Sequence, residues 1–391
     1  MIDERPAPDR SRQSAPRVWL LTGHRAGDTT QILALAEALD WPFEAKRLVY
    51  RPTELVTNLL CGATLAGIDR RRSSPLTPPW PDLVITAGRR NEPVARWIKA
   101  RSGGKCRIVH LGRPWAGTAH FDLVVPTPQY RLADAPNLLW IDLPLHRVTP
   151  QRLAAAAADW RAAWPALPRP WIALLVGGDS PPYRFDAAAA ARLGREASAM
   201  AVKQGGSLLV TTSARTGKAA TAALRRAIDA PVYFHGWAAA DGANPYLGFP
   251  ALADALVVTG ESMSMLAEAC ATAKPVYVFD PGDGSTAMRP RVANAERSIG
   301  ARLVEALAPH RLAHRASVLL TPAHVRRDAG IMVRRLVATG RVTWLGDPPP
   351  AANPPVVASL PQVVARVRAL FPALPADPPP SRAGELATDR A

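Results

Sequence analysis

The sequence predicts an α/β fold of two Rossmann-like, doubly wound domains facing one another across a cleft, and three observations carry that expectation. Short apolar runs recur, each followed by a loop rich in Gly, Ser and Thr and then by a helical pattern. The runs are apolar throughout and do not alternate, as befits strands covered on both faces of a parallel sheet. The succession halts at a proline-rich stretch, Pro165 to Pro170, and then starts afresh. Right-handed crossovers bring every such loop to the carboxyl ends of the strands, so both sets can line one cleft.

In chain order, residues 1–16 are charged and proline-containing with no apolar segment, and read as a disordered leader, not a signal peptide. Residues 17–164 form the first domain. Arg17 to Thr22 is a strand, Gly23 to Thr30 a loop, and Gln31 to Leu39 a helix with Ile32, Leu35, Ala36 and Leu39 on one face. Asp82 to Ala87 runs through Gly88-Arg-Arg-Asn91 into a helix from Glu92 to Ala100; Arg107 to Leu111 and Phe121 to Val125 are further strands. Residues 165–325 form the second domain. There Trp171 to Val176 leads through Gly177 to Tyr183 into an alanine-rich helix, Asp186 to Gln204. Ser207 to Thr212 leads through Ser213 to Lys218 into a helix ending at Ile228, and Pro231 to Phe234 is a short strand. Leu256 to Val258 is a strand, Gly260 to Ser264 a turn, and Met265 to Ala273 a helix, with a final strand reaching Phe279. Residues 326–375 read as a basic segment carrying a helix from Leu360 to Phe371, and residues 376–391 as a disordered tail.

Composition narrows the function classes. Of 391 residues 48% are hydrophobic, enough for two cores, yet runs such as Trp171 to Val176 fall far short of the roughly 20 residues of a membrane span. A cytoplasmic protein is expected. Cys61, Cys106 and Cys270 are odd in number and far apart, which fits buried thiols and no metal or disulfide framework. The formal charge of +16 is largely arginine, with Arg311, Arg315, Arg326, Arg327, Arg334, Arg335 and Arg341 facing only Asp328 between Ala306 and Gly346. Such a surface suits phosphorylated ligands or peripheral contact with an anionic membrane on its inner face. No nucleic-acid motif or basic-aromatic interleaving is present, so nucleic acid is not an expected partner.

The loops carry the chemistry. Gly177-Gly178-Asp179-Ser180 follows an apolar strand, and its glycines would let bare backbone approach a phosphate. Ser213, Arg215 and Thr216 add hydroxyls and a guanidinium suited to a diphosphate. Gly260, Glu261, Ser262 and Ser264 launch a helix whose first-turn N–H groups favour an anion; Ser262 or Ser264 can cap it. Glu268, one turn on, can accept from a sugar hydroxyl. In the first domain His24 and Asp28 are candidate general bases, with Arg25, Gln31, Arg89 and Arg90 beside them for an acceptor. Gly217-Lys218 lacks the rest of a Walker A loop, and no G-x-G-x-x-G occurs, which argues against a redox dinucleotide. No metal-ligand spacing is visible and no cofactor is expected.

These segments give the chain a recognisable series: Leu21-Thr-Gly-His-Arg-Ala-Gly27 with Gln31, Ala87-Gly-Arg-Arg-Asn-Glu-Pro-Val94, Phe121-Asp-Leu-Val-Val-Pro126 with Gln129-Tyr130, Leu175-Val-Gly-Gly-Asp-Ser180, Thr211-Thr-Ser-Ala-Arg-Thr216, Asn244-Pro-Tyr246, and Val258-Thr-Gly-Glu-Ser-Met-Ser-Met265 with Glu268-Ala269 and Lys274-Pro-Val276. Over residues 18–345 it resembles the plant mitochondrial-fission "elongated mitochondria" family and its bacterial relatives of glycosyltransferase type. The resemblance implies a GT-B-like fold with a nucleoside-diphosphate sugar as substrate in the cleft. It implies a donor site at Gly177, Gly178, Ser180, Ser213, Arg215, Thr216, Ser262, Ser264 and Glu268, with Glu268 at the ribose; Asp179, Gly260 and Glu261 are donor-side candidates from their places in the same loops. It implies metal-independent transfer to a cell-envelope glycan or lipid-linked acceptor in the first domain. The chain departs from the family pattern at Thr22-Gly23, Asp28, Ala214 and Glu261. Two other readings share these residues: a nucleotide-sugar epimerase and a non-catalytic, membrane-associated adaptor.

Overall fold

The computed structural model describes residues 15–23, 25–54, 62–164, 166–237, 244–283, 286–290, 327–350 and 359–372. His24, Cys61, Arg311, Arg315, Arg326, most of the expected leader and the expected tail lie outside the described residues.

Two parallel sheets organise the molecule. The first holds β1 (Val18–Thr22), β2 (Phe43–Arg47), β3 (Leu83–Ala87), β4 (Arg107–Leu111) and β5 (Leu123–Val125) in the order β2-β1-β3-β4-β5. The second holds β6 (Trp171–Leu175), β7 (Ser207–Thr211), β8 (Val232–His235), β9 (Ala255–Thr259), β10 (Val276–Phe279) and β11 (Thr343–Trp344) in the order β11-β10-β9-β6-β7-β8. Every pairing within them is parallel. The fold is thus the expected α/β pair of doubly wound units. Each sheet has one place where the chain changes direction across it, between β1 and β3 and between β6 and β9. Beyond the carboxyl ends of the strands, such a switch point leaves a crevice, because the two loops that start there diverge.

The continuous apolar runs are explained by burial on both faces. Ile172 and Leu174 pack on one side of the second sheet, and Ala173 and Leu175 on the other. Val18 and Leu20 are separated in the same way from Trp19 and Leu21. Burying each large aliphatic side chain contributes about 1.5–3 kcal/mol, which is why these strands need no alternation.

Helix α1 (Ala26–Leu39) follows β1 and α2 (Glu92–Arg101) follows β3; α3 (Pro150–Trp160) crosses toward the second sheet. There Trp164, just beyond it, packs with Trp171, Tyr233 and Phe249. Next come α4 (Ala187–Lys203), α5 (Lys218–Arg226), α6 (Gly248–Leu252), α7 (Met263–Cys270) and α8 (Ala329–Ala338). Asp186 starts α4 by accepting from the N–H groups of Ala188 and Ala189, as an N-cap should. The chain then returns to the first sheet. Val363 and Val367 of α9 (Ser359–Arg368) are fully buried in that core, and Arg368 donates to the carbonyl of Leu39 at the end of α1.

Three expectations change here. Helix α1 begins at Ala26, not Gln31, so Asp28 and Gln31 lie in its first turns and the loop shrinks. Strand β2 was not expected, because Phe-Glu-Ala-Lys-Arg at a sheet edge leaves four of five residues exposed. Of the basic C-terminal stretch, Arg341 is buried and donates to the carbonyls of Cys270 and Thr272, the latter at 2.7 Å, so it closes α7 and does not face a membrane. Among the described residues no helix is long and apolar enough to cross a membrane. Cys106 and Cys270 are buried free thiols, pushed by burial to about 12 and about 11 respectively.

Candidate functional site

The two switch points face each other. A Cβ placed on Gly27, in the first turn of α1, would lie 2.6 Å from Ser264 Oγ, in the first turn of α7. The amino ends of the two helices therefore meet head to head, and neither is closed by a side chain: Arg25 and Ser262 occupy the N-cap positions without a capping hydrogen bond. Ser262 thus does not cap α7, contrary to one expectation. Two uncapped positive ends in contact make an electropositive seam. On one side lies Arg25; on the other lies Arg215, whose Nη2 is 3.5 Å from Ser262 Oγ.

A second seam contact joins the units further out. Arg327 Nε donates to Gln129 Oε1 in the first unit at 2.6 Å, while Nη1 lies 3.4 Å from Ser180 Oγ in the second. Asp328 beside it accepts from Arg131 at 2.8 Å and from Tyr183 at 3.3 Å. Sequence reasoning missed this clasp, since Gln129 and Arg327 are 198 residues apart.

The glycine loop after β6 serves a use other than the expected one. Gly177 N–H donates to Thr259 Oγ1 at 2.9 Å and Gly178 N–H to Glu261 Oε1 at 2.7 Å. Ser213 and Thr216 donate their hydroxyls to the carbonyl of Gly177. Arg215 Nη1 reaches the carbonyls of Gly178 at 3.1 Å and Asp179 at 2.9 Å. The backbone donors expected to meet phosphate are hence satisfied within the chain. Glycine is required here by close approach: at Gly178, where φ is 153°, a Cβ would run into the backbone of Arg215 and Thr216. Asp179 Oδ1 takes Phe185 N–H at 2.8 Å, which turns the loop back into α4.

Glu261 is buried with one oxygen in this brace; its other oxygen, Oε2, has no hydrogen-bond partner among the described residues, and burial raises its pKa. Gly260 N–H donates to the Phe279 carbonyl at 2.9 Å, holding the turn to β10. Glu268 is only 9% exposed and accepts from the Tyr246 hydroxyl; burial raises its pKa to about 7. Tyr246 was visible in the sequence only as part of Asn244-Pro-Tyr246. The groups left facing the seam on this side are Arg215, Ser262, Ser264 and the first-turn N–H groups of α7. Burial lowers the Arg215 pKa, Glu261 opposes that, and Arg327 and Arg25 add to it.

In the first unit a small, open pocket sits at the switch point, lined by Gly23, Arg25, Asp28, Tyr50, Ala87, Gly88, Arg89, Arg90 and Asn91. Asn91 knits its floor: Nδ2 donates to the carbonyls of Leu21 at 2.8 Å and Ala87 at 3.1 Å, while Oδ1 accepts from the Tyr50 hydroxyl. Gly88, at φ 73°, brings its backbone so near that a Cβ there would lie 2.6 Å from Asp28 Oδ2. Burial, then the Asp28 carboxylate, pushes the Tyr50 phenol well above its ordinary range. The arginines differ. Arg90 pairs with Glu54 at 2.7 Å, whereas Arg89 lies over the Trp115 ring at 4.5 Å. Gln31 donates back to the carbonyl of Gly27 at 3.4 Å, within its own helix. Tyr50, Asn91 and Trp115 were not singled out from the sequence. Among the described residues no cluster of His, Cys, Asp and Glu is arranged to hold a metal ion.

Two facing switch points at an electropositive seam define the protein as a two-unit α/β fold with a doubly wound parallel sheet in each unit. Residues 26–336 match the family described as Mitochondrial fission ELM1, and the chain belongs to that family. It is 29% identical over 247 residues to Mitochondrial fission protein ELM1 of Arabidopsis thaliana, a stretch covering 57% of this chain and 56% of the plant protein. The match therefore spans just over half of that relative. It is 22% identical over 297 residues to the uncharacterized protein RP120 of Rickettsia prowazekii, covering 68% of this chain and 83% of that one. Among solved structures it is similar to a UDP-GlcNAc 2-epimerase from Neisseria meningitidis bound to UDP-GlcNAc, at 11% identity and a TM-score of 0.45 over 90% of this chain and all of that one. It is also similar to a glycosyltransferase from Rickettsia africae, at 11% identity and a TM-score of 0.39 over 84% of this chain and 98% of that one. Likenesses this distant carry no argument about chemistry, which rests on the residues above.

Proposed function

We propose that the protein is a glycosyltransferase that moves a sugar from a nucleoside-diphosphate donor to a cell-envelope glycan or lipid-linked acceptor. The observation that carries the reading is the seam itself: the uncapped amino end of α7, Ser264 and Arg215 converge opposite Asp28. A diphosphate is the group such a seam would stabilise, because its charge is answered by helix N–H groups and a guanidinium without a metal ion. Asp28, half-buried beside Gly88, would take the proton of an acceptor hydroxyl as that oxygen bonds to the anomeric carbon. The bond from that carbon to the diphosphate would break as the pair departs onto phosphate oxygen. Glu268, held by Tyr246, would present its carboxylate to the ribose, and the braced Gly177–Gly178 loop would hold Arg215 in place. Residues 17–164 would serve the acceptor and residues 165–325 the donor, at the cytoplasmic face of a membrane.

The test is a thermal-shift panel of nucleoside diphosphates. At least one should raise the melting temperature, by about 3 kcal/mol of stabilisation at a hundredfold excess over its Kd, and Arg215→Ala and Ser264→Ala should each reduce the gain. No response to any nucleotide would refute the donor site.

A second reading, a non-catalytic adaptor, draws on one observation. The Gly177 and Gly178 donors are already satisfied and the units already touch at Gly27 and Ser264, as a scaffold needing no substrate would have them. That reading expects no nucleotide response. An epimerase would instead consume a nucleotide sugar with no acceptor present.

A further inference from the structure

We propose that the pocket between β1 and β3 binds a phosphate group carried by the acceptor, gripped by Arg89 and Arg25. The inference rests on the transfer reading above and names the chemical class of its second substrate.

The arginines of this pocket are held in two different ways. Arg90 has a carboxylate partner, Glu54 at 2.7 Å. Arg89 is half-buried and has an aromatic partner, the Trp115 ring at 4.5 Å, with no carboxylate within 4 Å among the described residues. A ring beneath a guanidinium orients it and leaves its N–H edge unused, whereas a carboxylate occupies that edge. The loop that carries the ring is held: the buried Glu92 carboxylate accepts the backbone N–H of Trp115 at 2.6 Å and of Ala116 at 2.9 Å. Arg25, at the end of β1, likewise has no acid within 4 Å among the described residues and lines the same cavity. Arg113 adds charge nearby and lies over the Tyr130 ring at 5.6 Å. Burial, with Arg25, Arg90 and Arg113 around it, pushes the Arg89 guanidinium below its ordinary range. An arrangement so costly in the free protein is stabilised by an anion placed among these groups.

Geometry separates phosphate from carboxylate. Arg25 and Arg89 follow different strands, β1 and β3, and both line the pocket. One guanidinium fork uses up both oxygens of a carboxylate, while a terminal phosphate has three oxygens for two forks. The floor, tied down by Asn91, holds the pocket open, and Asp28 at its edge is placed to meet a hydroxyl on the same acceptor.

The experiment uses the full chain saturated with nucleoside diphosphate, so that the donor side is already filled. Millimolar inorganic phosphate should then raise the melting temperature by about 2 °C. Arg89→Ala should abolish that rise while leaving nucleoside-diphosphate affinity within twofold, and substitution of the distant Arg225 should leave both unchanged. A rise that survives Arg89→Ala, or none in the unsubstituted protein, overturns the proposal. If no nucleotide binds, the transfer reading fails, and the phosphate titration run without nucleotide still decides the pocket. A vesicle arm identifies the source. Sedimentation with phosphatidic acid in phosphatidylcholine that Arg89→Ala abolishes assigns a lipid-linked phosphate. Loss of the phosphate response with no sedimentation assigns a soluble phosphate ester. Sedimentation that the substitution leaves unchanged overturns a lipid headgroup in this pocket.

Discussion

The two switch points solve the same problem in opposite ways. Beyond β6 and β9 the loops bond to one another: Gly177, Gly178, Ser213, Thr216, Thr259 and Glu261 satisfy each other and leave a rigid wall with Arg215 on its face. Beyond β1 and β3 one guanidinium, Arg89, is propped on the Trp115 ring with no carboxylate within 4 Å among the described residues, while Arg90 beside it pairs with Glu54. The first arrangement creates precision and the second creates demand for a ligand, because an unmatched charge in a half-buried pocket favours whatever neutralises it. Substitutions that break the brace should therefore act on stability first. Those that remove propped arginines should act on binding alone.

The largest effect is expected at Gly178. Gly178→Ala drives a Cβ into the Arg215 backbone and should destabilise the protein by about 3 kcal/mol, read as a drop in the denaturant midpoint with an unchanged slope. A comparably small loss would mean the two loops are not locked together.

Opposite pH signatures provide a comparable test of the two units. His110, fully buried on β4, is pushed by burial down to about 4, a backbone contact at Arg113 opposing the shift. It stays neutral in the folded chain while the unfolded chain protonates, so its contribution is present above about pH 6.5 and lost as pH falls toward 4. Glu268, raised to about 7, does the reverse: its contribution is present below about pH 4.5 and lost as pH rises through 7. Each is worth up to about 3 kcal/mol, and in the unsubstituted protein they offset one another over the same window. Removing one exposes the other. Stability of a His110→Gln variant should fall between pH 5 and 7, and that of Glu268→Gln should rise, both read from urea midpoints. Parallel profiles would show that neither buried group has the environment described.

Glu261 gives a smaller effect. Glu261→Ala strands the Gly178 N–H and should cost about 1–3 kcal/mol, while Glu261→Gln keeps an acceptor there and should cost under about 1 kcal/mol. Equal losses in thermal melts would count against the hydrogen bond. The smallest effect on stability is expected of Arg89→Ala, within about 0.5 kcal/mol, since loss of the Trp115 ring contact is offset by removal of a half-buried charge.

Much of the fold was legible in the sequence. The apolar runs ending near Thr22, Ala87, Leu111, Leu175, Thr211 and Thr259 each became a strand, because burial on both faces writes itself as continuous hydrophobicity. Strand β2 was not legible, because edge residues bury little, and the start of α1 was not, because Ala-Gly-Asp-Thr-Thr lacks a helical apolar face. Of the candidate site, Arg215, Ser262, Ser264 and Asp28 were singled out from their positions after strands, and the structure places them at the seam. The fate of the glycine donors could not be found in that way. It depends on partners 82 and 83 residues away, whose hydroxyl and carboxylate look in the sequence like ligand-binding groups themselves. The propping of Arg89 on Trp115 is invisible for the same reason: Arg89-Arg90 is a pair in sequence, and only the tertiary structure assigns one a ring and the other an acid.

On the proposed reading the seam binds a nucleoside diphosphate on the second unit. Calorimetric titration of uridine, guanosine, adenosine and cytidine diphosphates into the protein and its Arg215→Ala variant tests it most directly. The account predicts micromolar binding of at least one, weakened tenfold or more by the substitution and unaffected by Arg89→Ala. Binding of none, or binding that Arg215→Ala leaves intact, would contradict it.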